Sequence, residues 1–311
     1  MADLTKQVAL IGIGSNSVRL LIAEREDGRI LAVERDEVVT RLAGYKIAPD
    51  GRLMLTSDAI RDTIRAAVNF AGRAREHGAP LLSIIATEAT RAASNSGELT
   101  QALERDLGVP VNIISGEEEA TLGWLAVSTS TSAQANTPFG VIDIGGGSSD
   151  LSVGFLGQPE PESVLSLKTG GRTAMRRFGL DRPIERTKLM GTMAALQIEL
   201  AREASALKPR PHLAVVIGGT ASVLARLYQR ISDGESYKGE LLIDATWLDK
   251  QLKDMSLLSA DERVAMGVPP DRADVIVAGA AILLTLLQAW GLSQFYASER
   301  NILDGYLQKN L

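Results

Sequence analysis

Val141-Ile142-Asp143-Ile144-Gly145-Gly146-Gly147-Ser148-Ser149-Asp150-Leu151 reads as the end of one β-rich run, a tight turn and the start of another. Three consecutive glycines let the backbone approach a ligand and direct several N–H groups at one anion. Asp143 and Asp150 flank the turn as carboxylates able to serve a divalent cation. A plain glycine-rich hairpin is the lesser reading of the string taken alone. Its surroundings decide more: strand DLSVGFLG, turn QPEPE and strand SVLSLKTG follow it. The same order occurs at the N-terminus, where QVALIGIG, the turn Gly14-Ser15-Asn16-Ser17, VRLLIAER, an Asp27-Gly28 hairpin signal and RILAVERDEV succeed one another. The chain thus reads as a duplicated unit of strand, phosphate-sized turn, strand, hairpin and strand. Two such turns make a phosphate clamp.

Between these repeats the pattern alternates. Ile60, Ile64, Ala67, Val68 and Ala71 fall at helical spacing after a Thr56-Ser57 cap and predict a helix over 56–77. Strand LLSIIAT, a helix near 96–107, strand VNIIS and a helix opening at Glu117 complete an α/β half. The polar stretch STSTSAQANTP at 128–138 is the expected linker, which gives an N-terminal domain of 1–127 and a C-terminal domain of 139–311. The last helix is free to pack back on the first domain. In the second half, helices are expected near 183–207, after Gly219, at 246–254 and at 273–290, with strands HLAVVIGG and QFYAS.

The 311 residues are enough for two cores, each independent of disulfides or structural metal. No Cys is present, which excludes zinc ribbons and thiol catalysis and fits a cytoplasmic protein. The start lacks a basic, apolar and cleavable leader pattern. The longest apolar run, VIVAGAAILLTLL, has 13 residues and is expected as a buried helix rather than a membrane span. A net charge of 33 − 38 = −5 provides no global attraction for nucleic acid or an anionic membrane. A polyanionic ligand must therefore be held locally.

Further strings carry possible chemistry. Gly218, Gly219 and Thr220 join an apolar strand to an apolar helix, as a phosphate turn or a simple connection would. Thr169-Gly170-Gly171-Arg172 has the same two readings, with an arginine added. Ser115 with Glu117 and Glu118 suits a helix cap, yet one carboxylate of this run is available as a base. Arg91 follows strand 81–87, where a guanidinium can grip phosphate; a surface arginine is the other reading. His77 and His212 have no partner pattern, so a Ser-His-Asp hydrolase has no support.

The strings GIGSNSVRLLI, ATEATRAASN, IISGEEEA, VIDIGGGSSDL, SLKTGGR, VIGGTASVLA, RADVIVAGAAIL and ASERNILDG lie in one order along nearly the whole chain. Together they resemble the exopolyphosphatase and guanosine pentaphosphate phosphohydrolase family, in a short two-domain form. The resemblance implies duplicated actin-like (ribonuclease H-like) domains with the active site in the cleft between them. It implies Mg²⁺-dependent release of terminal orthophosphate from inorganic polyphosphate, with short chains favoured, and extends to guanosine pentaphosphate. Glu119 would be the general base, with Glu118 next in line. Asp143 and Asp150 would serve Mg²⁺, although the family usually has Glu at position 150. Gly14, Ser15, Asn16, Ser17, Arg91, Gly145, Gly146, Gly147, Ser148, Gly218, Gly219 and Thr220 would hold phosphate. A homodimer is left open. Two departures stand out. Gly12 occupies a position where the family has Asp, and Leu303 and Asp304 stand where it has Arg and Glu. The alternative is therefore a binding protein that senses polyphosphate or a guanosine alarmone and hydrolyses it poorly.

Overall fold

The computed structural model describes residues 7–26, 29–48, 50–128, 136–230 and 239–310. The Asp27-Gly28 turn and most of the 128–138 stretch lie outside them. The chain divides into Met1–Ser115 with Tyr306–Leu311, and Gly116–Gly305.

The first unit contains β1 (Val8–Ile13), β2 (Ser17–Glu26), β3 (Arg29–Val39), the short pair β4 (Lys46–Ile47) and β5 (Leu53–Met54), α1 (Ser57–Glu76), β6 (Leu81–Ala86), α2 (Glu88–Ala92), α3 (Ser96–Leu107) and β7 (Val111–Ile113). Its main sheet has the order β3-β2-β1-β6-β7, antiparallel over the first three strands and parallel from β1 through β6 to β7. Helix α1 begins where the sequence places it, with Thr56 Oγ1 accepting from Ala59 N at 3.2 Å. Its buried stripe includes Ile60, Ala67 and Ala71, whereas Val68 is 41% exposed. Alternate residues Ile11, Ile13, Val18, Leu20 and Ile22 join Phe70 and Leu99 in one core. Position 12 therefore belongs to the opposite sheet face.

The second unit contains α4 (Gly116–Val127), β8 (Pro138–Ile144), β9 (Ser149–Phe155), β10 (Ser163–Leu167), α5 (Gly171–Phe178), α6 (Arg186–Ala206), β11 (Leu213–Ile217), α7 (Gly218–Gln229), β12 (Glu240–Asp244), α8 (Ala245–Ser256), α9 (Ala260–Ala265), α10 (Ile276–Trp290) and β13 (Gln294–Ser298). The last helix, α11 (Ile302–Asn310), starts in this unit and ends in the residues grouped with the first. The sheet order β10-β9-β8-β11-β13-β12 repeats the first unit's arrangement, with β12 added antiparallel at the edge. Each unit thus carries an actin-like sheet. Helix α4 packs on β8, β9 and β10, so the division falls at Ser115/Gly116 rather than at the expected 128–138 linker.

The apolar run at 275–287 forms the buried α10, and among the described residues no helix is long and apolar enough to cross a membrane. Arg263 is fully buried at the foot of this core. Its guanidinium donates to the carbonyls of Met255, Leu180 and Ala273, and burial lowers its pKa from the ordinary arginine value.

Candidate functional site

The glycine turn of the second unit is closed by Gly145 N donating to Ser148 O at 3.0 Å. Its carbonyls are taken from behind: Gly171 N donates to Gly145 O and Arg172 N to Gly146 O, both at 2.8 Å. The Thr169–Arg172 string, legible as a phosphate turn of its own, thus places the first amides of α5 on the glycine turn. A Cβ on Gly170 would lie 2.6 Å from Gly145 O and 2.7 Å from Gly146 C, so this backing works only with glycine there. Thr169 is held in turn, its carbonyl accepting from Ser149 Oγ at 2.7 Å and its hydroxyl donating to Glu199 on α6.

Asp143 and Asp150 face each other across β8 and β9. Their roles separate. Asp150 is buried, with Oδ2 accepting from Ser148 Oγ at 3.0 Å and Oδ1 accepting from Ser166 on β10. Asp143 is half-buried and lies against the Gly218 turn, where a Cβ on Gly218 would meet its Oδ1 at 2.4 Å. Beside this, a Cβ on Gly219 would be 2.7 Å from the Arg272 guanidinium carbon. Thr220 directs its side chain at α10, its Oγ1 lying 2.6 Å from where a Gly279 Cβ would be.

Helix α4 opens directly over this group, because a Cβ on Gly116 would fall 3.6 Å from Asp150 Oδ1 and closer still to Ser166. Its first turn carries three carboxylates. Glu117 and Glu118 face solvent, whereas Glu119 is 7% exposed. Of the run SGEEEA, the buried member is the one read as the base.

Within the first unit, Gly14 N donates to Ser17 O at 2.9 Å, repeating the Gly145 to Ser148 closure. Ser15 O accepts from Ala43 N, and Asn16 O accepts from Thr40 N and Arg41 N, so this turn is also backed by the segment after its third strand. Ser15 Oγ donates to Glu88 at 3.0 Å, and Ser17 Oγ donates to Glu37. Arg91 is exposed and donates to the Ile114 carbonyl. A hydroxyl paired with an ionised carboxylate is necessarily the donor. Ser15, Ser17 and Ser148 therefore spend their protons on acids, and main-chain amides are donors that each turn can offer an anion.

Among the described residues, no three His, Cys, Asp or Glu side chains converge to hold a metal. Mg²⁺ needs fewer, because one or two carboxylates suffice when water and substrate phosphate complete its shell. Asp143, half-exposed beside a glycine turn, fits that requirement. Asp150 already accepts a hydroxyl proton on each oxygen.

The sequence pattern of the Ppx/GppA phosphatase family matches residues 21–311. The chain belongs to this family. Exopolyphosphatase 1 of Mycobacterium tuberculosis is 28% identical over 309 residues, covering 98% of this chain and 88% of that protein. Its counterpart from Mycobacterium leprae is 27% identical over 287 residues, covering 91% and 83%. Among solved structures, the PPX-GPPA enzyme of Aquifex aeolicus superposes with a TM-score of 0.80 at 28% identity, covering 98% of this chain and 99% of that one. An exopolyphosphatase structure from Cytophaga hutchinsonii reaches 0.84 at 19% identity over 97% and 96%, a likeness of fold alone.

In this Ppx/GppA chain the family string ASERNILDG has a clear local job. Arg300 Nη1 donates to Ala126 O at the end of α4, at 3.0 Å. Asn301 Oδ1 accepts from Leu303 N and Asp304 Oδ2 from Asn301 N, both at 2.9 Å, closing a reciprocal cap on α11. Asp304 thus caps this helix itself, and Leu303 is fully buried. Sequence reasoning passed over Arg272, Ser166, Glu88 and Glu37, which reach the turns through strand register, loop placement or, for Glu88, the start of α2.

Proposed function

We propose that this chain is an exopolyphosphatase that removes terminal orthophosphate from inorganic polyphosphate with Mg²⁺, and that guanosine pentaphosphate is a further substrate of the same chemistry. The observation that carries the reading is Glu119, a buried carboxylate in the first turn of a helix that opens on the Asp150 side of the glycine turn. In this reading Glu119 takes a proton from water as the water oxygen attacks the terminal phosphorus. The anhydride P–O bond breaks and the shortened polyphosphate leaves. Amides of Gly145, Gly146, Gly147 and Ser148 hold the phosphoryl oxygens, with the Gly218-Gly219-Thr220 turn adding to the anion's partners; in the first unit the amides of Ser15, Asn16 and Ser17 and the Arg91 cation are anion donors of the same kind. Asp143 would hold Mg²⁺, which when bound neutralises phosphate charge. Asp150 orients Ser148. Positioning and charge stabilisation supply most of the catalysis in phosphoryl transfer, and this scaffold of backed turns is suited to both.

The test is orthophosphate release from polyphosphate of defined length, and from guanosine pentaphosphate, with and without Mg²⁺. Release that depends on Mg²⁺ and is faster on short chains supports the proposal. Tight polyphosphate binding without release would instead favour a sensor, the second reading, which the non-carboxylate residue at position 12 motivates.

A further inference from the structure

The two turns are built on equivalent strand triplets, and their registers superimpose. In the second unit Asp143 pairs with Asp150, and Asp150 with Ser166. In the first, Gly12 pairs with Arg19, and Arg19 with Glu37. Directly opposed residues share a sheet face. The row Asp143, Asp150, Ser166 therefore corresponds to the row Gly12, Arg19, Glu37, and the acid of the middle strand has become a cation. Ser148, the last residue of the glycine turn, donates to the middle-strand acid. Ser17, its equivalent, donates to Glu37 on the third strand. Glu37 also accepts from Arg19 Nε at 3.2 Å.

We infer that Glu37 is the positioning residue of the first phosphate turn, holding the Ser17 hydroxyl from β3 as Asp150 holds Ser148 from β9. The acid has moved one strand outward along the row while its attachment to the turn serine is kept. Because Ser17 both closes the turn through its carbonyl and is tethered through its hydroxyl, Glu37 acts on turn shape rather than on ligand. A simple surface ion pair with Arg19 explains the 3.2 Å contact but not the serine. It would also leave the match with Ser148 and Asp150 to chance.

The inference rests on the phosphatase reading only for its activity readout, so the experiment has two arms. Glu37→Ala, Glu37→Gln, Ser17→Ala and the double variant Ser17→Ala/Glu37→Ala are compared for hydrogen exchange at the Gly14 amide, which donates to Ser17 O, and for kcat/KM on polyphosphate. Melting temperature serves as the control. Glu37→Ala should speed Gly14 exchange and lower kcat/KM about ten-fold, and should have no effect once Ser17 is Ala. Glu37→Gln, which keeps an acceptor oxygen for the serine, should stay within about three-fold of the parent in both arms. Independent, multiplying effects of the Ser17 and Glu37 changes, or a Gln variant as damaged as Ala, would overturn the inference in favour of the Arg19 ion pair. If Glu37→Ala does not fold, Ser17→Ala alone decides: faster Gly14 exchange at an unchanged melting temperature supports the tether, and parental exchange at Gly14 overturns it. A parent that releases no phosphate defeats the phosphatase reading, and the exchange arm still tests Glu37.

Discussion

Gly218, the first residue of α7, lies against Asp143 at the end of β8: a Cβ on Gly218 would stand 2.4 Å from Asp143 Oδ1. Gly218 also has φ +82°, a left-handed backbone that side chains disfavour. Both facts demand glycine, the second for the turn and the first for the carboxylate. Gly218→Ala should therefore push Asp143 aside and open the β11 to α7 connection. We expect a loss of orthophosphate release of at least about 10²-fold, the scale of a misplaced catalytic group, with the second unit still folded by circular dichroism. Full activity would show that Asp143 does not need its present place.

Glu119→Gln should keep the fold and polyphosphate affinity while lowering turnover by roughly 10²–10⁴, the usual contribution of a positioned general base. Glu118→Gln should do far less, since that side chain faces solvent. Turnover and binding measured on both variants decide the assignment. A larger effect at Glu118 moves the base by one residue, and parental rates in both place it elsewhere.

The two aspartates should respond differently to amidation. Asp143→Asn removes a half-exposed negative charge and should shift the Mg²⁺ requirement to higher concentration together with a fall in activity. Asp150→Asn replaces one of two acceptor oxygens by an N–H donor facing a serine hydroxyl, so it should reduce activity and lower the melting temperature. Its Mg²⁺ profile should keep the parental midpoint. Magnesium titrations of both variants separate the roles, and a midpoint shift in Asp150→Asn alone would reverse them.

Much of this arrangement was legible beforehand because its signals are local. The Asp143 to Asp150 turn announces itself through glycines between β-rich runs, and Thr56 caps α1 as its position suggests. Val68 shows the limit, since helical spacing gives the direction of a stripe and not its width. The 128–138 stretch illustrates a different limit: polarity marks a connection, but the packing of α4 on β8, β9 and β10 determines which unit that helix joins. The Ser17–Glu37 tether was invisible because it depends on β2/β3 register, and a slip of one residue would turn Glu37 to the other face. Arg272 reaches Gly219 from the loop ahead of α10, a juxtaposition that no spacing rule encodes.

Position 12 gives the sharpest test. It is buried on the sheet face away from the α1 core, opposite Arg19 and equivalent by register to Asp143. A buried carboxylate is costly unless paired, and Arg19 stands directly across to pair it, an exchange worth about 0.2–1 kcal/mol for opposed charges on a sheet. Gly12→Asp should thus be tolerated, and should give the first unit the carboxylate that Asp143 gives the second. We expect Mg²⁺ affinity and turnover to rise together, because a second fixed negative charge near the phosphate turn improves metal placement in the charged transition state. An active phosphatase should gain on a measurable parental rate, whereas a sensor should acquire hydrolysis from a baseline near zero. If the pairing with Arg19 fully neutralises the new aspartate, the turn gains no metal-directed charge, and Ser17 keeps its tether to Glu37. Mg²⁺ titration and phosphate release would then match or fall below the parent, and the gap at position 12 would have no catalytic consequence.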